Sequence, residues 1–409
     1  MMHSKTLLCV LLAGGTFLSA QAQDWNQWRG PARDGVVMNF APPAVWPERP
    51  TQVWKVPAGI GHSSPVVAAE RAYLFSRIGE QEALTAYDVA SGKQVWRQAY
   101  DAPYQMNPAA TSHGKGPKST PVLDRGRIFT LGISGILSAW DQSTGKVAWR
   151  HDFAKEFNPS MPDFGASMSP IVDGDHLIAH VGGTSGAVIA FNRATGARVW
   201  TWKADGPAYA SPIVATFGGT RHLITQTRAH IIGLSPSDGR ELWRAPFTTD
   251  YEQNIITPVT AGGLLIYSGL SKPTIGARVV QEGGSWKLQE VWRNEDVPMY
   301  MSSPVASGGV LYGLTHRNRG QFFALDVATG KTLWTSPPRQ AENAALAAAT
   351  TVLIATTTEG ELVVMPMNKQ GHGVVRKYTL AESPIWAHPA FTAAGVLVKD
   401  AETLSFWTF

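Results

Sequence analysis

The sequence predicts an all-β fold, an eight-bladed β-propeller of four-stranded antiparallel blades, closed by pairing an N-terminal strand with the C-terminal strands. Three observations carry this. A hairpin phrase ending in Trp recurs along the chain, a Ser/Thr-Pro phrase recurs ahead of it, and each chain end holds part of one blade. Composition agrees: 40 Gly and 27 Pro supply turns, 15 Trp supply large anchors, and no long 3.6-residue apolar period is present.

The hairpin phrase is cleanest at 322–334, from Phe322 through Asp326, Thr329 and Gly330 to Trp334. Copies occupy 84–96, 137–149 and 188–200, with a weaker one at 231–243. In Leu84-Thr85-Ala86-Tyr87 large and small residues alternate with period two, as on a strand with two unlike faces. Asp88 and Ser91 can bond nearby amides, and Gly92 takes a positive φ without steric cost. The phrase is therefore a β-hairpin. A Trp in the same place in every copy is expected to fill a pocket between neighbouring units and give its indole N–H to a carbonyl.

The second phrase reads Ser64-Pro65, Thr120-Pro121, Ser169-Pro170, Ser211-Pro212, Thr257-Pro258 and Ser303-Pro304, with a late variant at His388-Pro389. Proline opening a strand removes no ladder amide. A short strand bounded by Gly or Asp follows each copy, and the hairpin follows that. Four strands make the unit. The Trp register, from Trp54 through Trp96, Trp149, Trp200, Trp243 and Trp292 to Trp334, advances in steps of about 42–53 residues, the length of a propeller blade. A seventh blade is degenerate, with Val374 to Tyr378 standing where its Trp strand belongs. The chain end supplies the inner strands of an eighth, and the orphan strand around Trp54 supplies its fourth. Joining the ends removes an exposed sheet edge.

Residues 1–22 read as a signal peptide: Lys5, an apolar run from Leu7 to Leu18, and Ala20-Gln21-Ala22 as cleavage site. The run is shorter than the ~20 apolar residues of a transmembrane helix. Cys9, the single cysteine, lies inside that run, too early for a lipoprotein cleavage box, so the mature chain is expected to have no disulfide, thiolate ligand or covalent haem. Periplasmic or secreted location follows. Residues 23–50, with Trp25, Trp28 and the Pro-rich link, are expected as an arm packed on a propeller spanning 51–409. The net charge of +4 is mild and scattered, which excludes a nucleic-acid footprint.

The Ala-x-Asp-x-x-Thr-Gly-Lys-x-x-Trp phrase resembles the Trp-docking repeat of pyrroloquinoline-quinone (PQQ)-like propellers. That family includes quinoprotein alcohol dehydrogenases and the propeller scaffold of the outer-membrane β-barrel assembly machinery. The stretches at 24–31, 114–121 and 316–323 resemble a secreted PQQ-binding-like branch. Quinoprotein dehydrogenases of the eight-bladed type carry a vicinal Cys pair, which this chain lacks, and no Cys-x-x-Cys-His haem motif is present.

Propeller pockets form where inner strands surround the channel. The residues ahead of each Ser/Thr-Pro phrase are therefore the candidate lining: His62, Lys118, Tyr209, Asn254, Tyr300, Trp386 and His388, with Ser167, Ile255, Met301 and Asn343 beside them. Such a set suits a planar or anionic ligand through stacking, charge and hydrogen bonds. The insertion at 101–118 adds His113 and Lys115. Asp163, Glu252 and Glu342 are candidate oxygen ligands for a hard cation. No nucleophile–base spacing, phosphate loop or metal-ligand His motif is present to mark a catalytic centre. The expected function is an exported scaffold that binds a ligand or a protein partner at the channel mouth. The alternative, implied by the resemblance, is a quinoprotein-type alcohol or sugar oxidoreductase using PQQ with Ca²⁺ and lacking the Cys pair.

Overall fold

The turn of each hairpin phrase is built around its first polar residue. Asp88 Oδ1 accepts from the Ser91 amide at 3.0 Å, Asn192 Oδ1 from the Thr195 amide at 3.0 Å, and Asp326 Oδ1 from the Thr329 amide at 3.0 Å. The following Gly then returns its own amide to the carbonyl of that residue. The structure, a computed structural model, describes residues 24–38 and 40–409; the leader expected over 1–22 lies outside the described residues.

Eight sheets ring a central channel. Blades 1 to 6 take strands in chain order from Val66–Ala68 at the centre of blade 1 to Thr332–Thr335 at the rim of blade 6. Blade 7 runs from Ala344–Ala349 to Arg376–Thr379, and Val36–Val37 adds a fifth, parallel strand beside its innermost one. Blade 8 is assembled from both ends: Ala390–Phe391, Val396–Lys399 and Thr403–Thr408, with Thr51–Pro57 as the outer strand, Trp54 lying opposite Phe406.

Apolar clusters fill the gaps between adjacent blades rather than one central core. The phrase tryptophans sit in these gaps. Trp54 donates to Val89 O at 2.8 Å, Trp149 to Arg193 O at 3.2 Å, Trp200 to Pro236 O at 3.2 Å, Trp292 to Val327 O at 2.8 Å and Trp334 to Asn368 O at 3.0 Å. Each acceptor belongs to the next blade. Five of the rings, those of Trp54, Trp96, Trp149, Trp200 and Trp292, also cover the turn glycine of that blade.

Trp243, from the weak copy, departs from the rule. Its indole N–H goes to His222 Nδ1 inside its own blade at 3.0 Å. The long hairpin of blade 5, Lys272–Glu282 with Ser285–Asn294, leans onto blade 4 and sets Trp286 edge-on to His222 at 4.6 Å. In the degenerate blade 7, Tyr378 fills the gap instead, against Phe409 at 5.6 Å, with its hydroxyl on Pro47 O at 2.7 Å.

One buried carboxyl sits between blades 1 and 2. Glu82 is fully buried, accepting the Tyr100 hydroxyl at 2.6 Å and the Ile133 amide at 2.8 Å. Burial raises its pKa above the ordinary value, outweighing both hydrogen bonds and the Arg77 and Arg150 guanidiniums. The folded state thus holds a proton that the unfolded chain has released, and stability falls as pH rises from the ordinary Glu range through the raised value. Glu82→Gln, which keeps an acceptor for Ile133, is expected to flatten that fall. Denaturant midpoints of both proteins between about pH 4 and pH 8 check this; parallel profiles would contradict it.

Candidate functional site

The first part of the arm, residues 24–38, enters the channel, while Trp46 and Pro47 pack at the gap between blades 7 and 8. Its backbone joins blade 1 through Trp25 O to the Val67 amide at 2.8 Å, blade 2 through Asn26 O to the Leu123 amide at 2.8 Å, and blade 7 through Gly35 O to the Ala348 amide at 2.9 Å. Arg29 and Arg33 are buried in the channel. Arg29 donates to Pro304 O of blade 6, and Arg33 to Ser169 O and Pro170 O of blade 3 at 2.9 and 3.0 Å. Burial lowers both guanidiniums, Arg29 to about 10 and Arg33, which also faces Arg29, to about 9. Trp28 gives its indole N–H to Thr257 Oγ1 at 3.2 Å and lies 4.3 Å from the His388 ring. The arm is a plug, and Trp28 is its upper surface.

The serines and threonines of the second phrase form a girdle round this plug. The Ser64 amide donates to Thr120 Oγ1 at 3.2 Å, Thr120 to Ser169 Oγ at 2.9 Å, Ser169 to Ser211 Oγ at 2.9 Å, Thr257 to Ser303 Oγ at 3.0 Å and His388 to Ser64 Oγ at 2.9 Å. Each hydroxyl serves the blade before it. This is why a small hydroxyl residue precedes the proline: it satisfies an amide that the sheet ladder leaves free.

Above the girdle lies a cavity of about 490 Å³, floored by Trp28. Backbone alternation selects its wall. The residue two positions before each girdle residue faces inward, giving His62, Lys118, Ser167, Tyr209, Ile255, Met301 and Trp386. Of the residues expected from sequence, His62, Lys118, Tyr209, Tyr300 and Trp386 line this one cavity, with Ser167, Ile255, Met301 and His113 beside them. Asn254 and His388 do not. Asn254 turns away into backbone, donating to Thr227 O at 2.6 Å and Phe247 O at 2.8 Å, although Tyr300, at the same step before its girdle residue, lines the cavity. His388 holds a girdle position itself, buried beneath Trp28. Asn343 is likewise outside the wall. Trp28, Phe164, Tyr251 and Gln253 also line it and were not foreseen. Trp28 had the signal of a conspicuous Trp-rich arm, but nothing in the pattern says that an arm enters the channel.

Two groups of side chains face the space. His62 stacks on Trp386 at 5.3 Å, and His113, from the insertion, stands edge-on to both at 5.7 and 4.9 Å. Burial, then Lys118, His113 and Lys399, holds His62 well below the usual imidazole range; burial and Lys118 lower His113. Both rings are therefore neutral at neutral pH. Opposite in chemistry are Lys118 and Tyr209. Lys118 Nζ donates to Phe164 O at 2.8 Å, and the Tyr209 oxygen accepts from the Phe164 amide at 3.3 Å. Burial lowers Lys118 to about 8 and raises Tyr209. Tyr300 donates to Gln253 Oε1.

Among the described residues, no Asp or Glu lines the cavity. Glu252 belongs to an adjoining groove and is paired with Arg228; Asp163 shares that groove. Among the described residues no group of three or more His, Cys, Asp or Glu could hold a metal ion, so Asp163, Glu252 and Glu342 form no cation site. A calcium-bound quinone needs several converging oxygen ligands. The wall residues do not fit it.

A family profile described as outer membrane protein assembly factor BamB matches residues 44–113 and 105–336. Similar proteins include the BamB assembly factors of Shewanella oneidensis, 25% identical over 61% of this chain and 51% of that protein, and of Yersinia pestis, 26% identical over 51% and 53%. The chain spans about half the length of these curated relatives. Among solved structures, BamB from Moraxella catarrhalis matches with a TM-score of 0.63 at 15% identity, over 88% of this chain and 100% of that one. A europium-containing methanol dehydrogenase matches with a TM-score of 0.69 at 13% identity, over 95% and 99%. At such identities these structures speak for the fold alone. With the profile spanning most of the ring, the chain belongs to the family of the outer membrane protein assembly factor BamB.

Proposed function

We propose that this protein is an exported interaction scaffold in outer membrane protein assembly, and that it engages its partner at the cavity-bearing mouth of the propeller. The observation that carries this reading is the cavity itself. It is floored by Trp28, walled by aromatic rings, and holds one lysine with no carboxylate beside it. Such a wall can grip a ligand. Among the described residues, no carboxylate of the wall orients either histidine as a general base. The phrase residues support the same view, because their Asp and Trp side chains and the backbone of their Gly are taken up by turns and blade packing. The relatives named above are assembly factors. No helix among the described residues is long and apolar enough to cross a membrane.

Tyr251 offers the test. It lines the cavity at the mouth while remaining 80% exposed. A photo-crosslinking residue at 251 is expected to yield a discrete protein adduct in cells. The same residue at Val147, exposed on the outer strand of blade 2, is the control. Equal adducts at both positions, or none at 251, would overturn the reading.

A further inference from the structure

We propose that the cavity binds a monocarboxylate carrying an aromatic body, with the carboxylate received by Lys118 and the Tyr209 hydroxyl and the ring packed on the aromatic wall. The inference rests on the scaffold reading and names the chemistry that the mouth selects.

Position comes first. The heads of Lys118 and Tyr209 come from different blades, yet both are tied to the backbone of Phe164, one to its carbonyl and one to its amide. Both heads thus line one cavity and are anchored to one residue. The lysine ammonium has three N–H groups and uses one on Phe164 O; the tyrosine oxygen accepts from Phe164 and keeps its O–H to give. Lys118 forms no ion pair among the described residues. A carboxylate bridging the two donors would take a charge-assisted bond from each.

Charge then limits the ligand to one anion. Lys118 acts on His62 and His113, both held neutral; Tyr209, whose charged neighbours are Asp163 and Arg228, is held protonated, and Arg228 is paired with Glu252. Lys399 lies behind His62 with its ammonium turned to Asp400 O at 2.6 Å and Ala401 O at 3.0 Å. Asp163, whose charge helps raise Tyr209, sits in the adjoining groove. Among the described residues, one Lys or Arg therefore lines the cavity. A second or third carboxylate on the ligand would be stripped of water with nothing to pair it, a cost that disfavours polyanions. The remaining wall, with Trp28, Phe164, Tyr300 and Trp386, calls for a flat apolar body. The volume lies in the range of small-molecule pockets.

The same chemistry is found in a free aromatic acid and in a polypeptide ending on an aromatic residue. The experiment separates them. Calorimetric titration of the full chain would use 3-phenylpropionate, its neutral amide, and a short peptide ending in Phe with either a free or an amidated terminus. The acid is expected to bind at least about tenfold more tightly than the amide. Lys118→Met is expected to abolish that preference, and Tyr209→Phe to reduce it. Affinity for the acid should fall as pH rises past about 8, where Lys118 gives up its proton while the carboxylate stays charged. A free-terminus peptide that binds more tightly than the acid assigns the source to a chain end; the reverse order assigns it to a small molecule. Equal affinity for acid and amide, or a preference that survives in Lys118→Met, overturns the proposal. If Lys118→Met does not fold, the acid and amide on the unaltered protein decide it. Adducts at position 251 without any acid binding would remove this ligand class and leave the scaffold reading standing.

Discussion

Trp292→Ala is expected to lower the unfolding free energy by about 3–5 kcal/mol, the cost of emptying a large buried aromatic site. Trp292 is 8% exposed, and it closes the gap between blades 5 and 6 with its indole N–H on Val327 O at 2.8 Å. Trp292→Phe keeps much of the ring and loses the hydrogen bond, so about 1 kcal/mol of the loss belongs to that bond. The glycine beneath the ring gives a sharper test. A Cβ on Gly330, whose φ is +71°, would lie 2.4 Å from Trp292 Cδ2. Gly330→Ala therefore costs both left-handed strain, about 1–3 kcal/mol, and displacement of the indole. With Trp292 already Ala, only the strain remains. The two changes together should destabilise less than the sum of each alone, measured by denaturant unfolding in a double-mutant cycle. Strict additivity would show that the ring and the turn do not act as one joint.

That joint was legible in the sequence because it repeats. A Trp, a Gly and a turn-forming Asp in fixed register can be read as one packed unit without coordinates, and the closure at Trp54 follows from counting the copies. Trp243 shows the limit. Its phrase keeps the Trp but begins its turn at Ser235, and the ring bonds to His222 because the long hairpin of blade 5 reaches across. A register cannot report a neighbour's length. The cavity was half legible for a related reason. His62, Lys118, Tyr209 and Trp386 share a spacing from the girdle residues, so position ahead of the proline found them. The same rule brought in Asn254, whose side chain turns away into backbone although Tyr300, at the same step, lines the cavity. Trp28 reaches the site from far along the chain, through an arm whose path is set by Arg29 and Arg33 bonding to blades 6 and 3. No local pattern encodes that path.

Deleting Thr51–Pro57 is expected to have the largest effect of any change considered. The segment is the outer strand of blade 8, laddered to Thr403–Thr408 over its whole length, and Trp54 on it covers Gly92 and donates to Val89 O of blade 1. Its loss exposes the edge of the C-terminal strands and opens the blade 8–1 gap at the same time. It also shortens the tether between the plug and the ring by 7 residues, so the arm can no longer hold Arg29 and Arg33 in place while the link reaches blade 8. Trp54→Ala separates these contributions. It leaves ladder and tether intact, removes only the blade 8–1 joint, and should cost about 3–5 kcal/mol, like the other phrase tryptophans. The deletion must cost clearly more, with a fall in thermal midpoint larger than that of Trp54→Ala and with exposure of Trp28 fluorescence to quencher as the plug loosens. Equal midpoints for the two variants would mean that the tryptophan alone holds the ring shut. An unchanged midpoint in the deletion would mean that the ends do not close it at all.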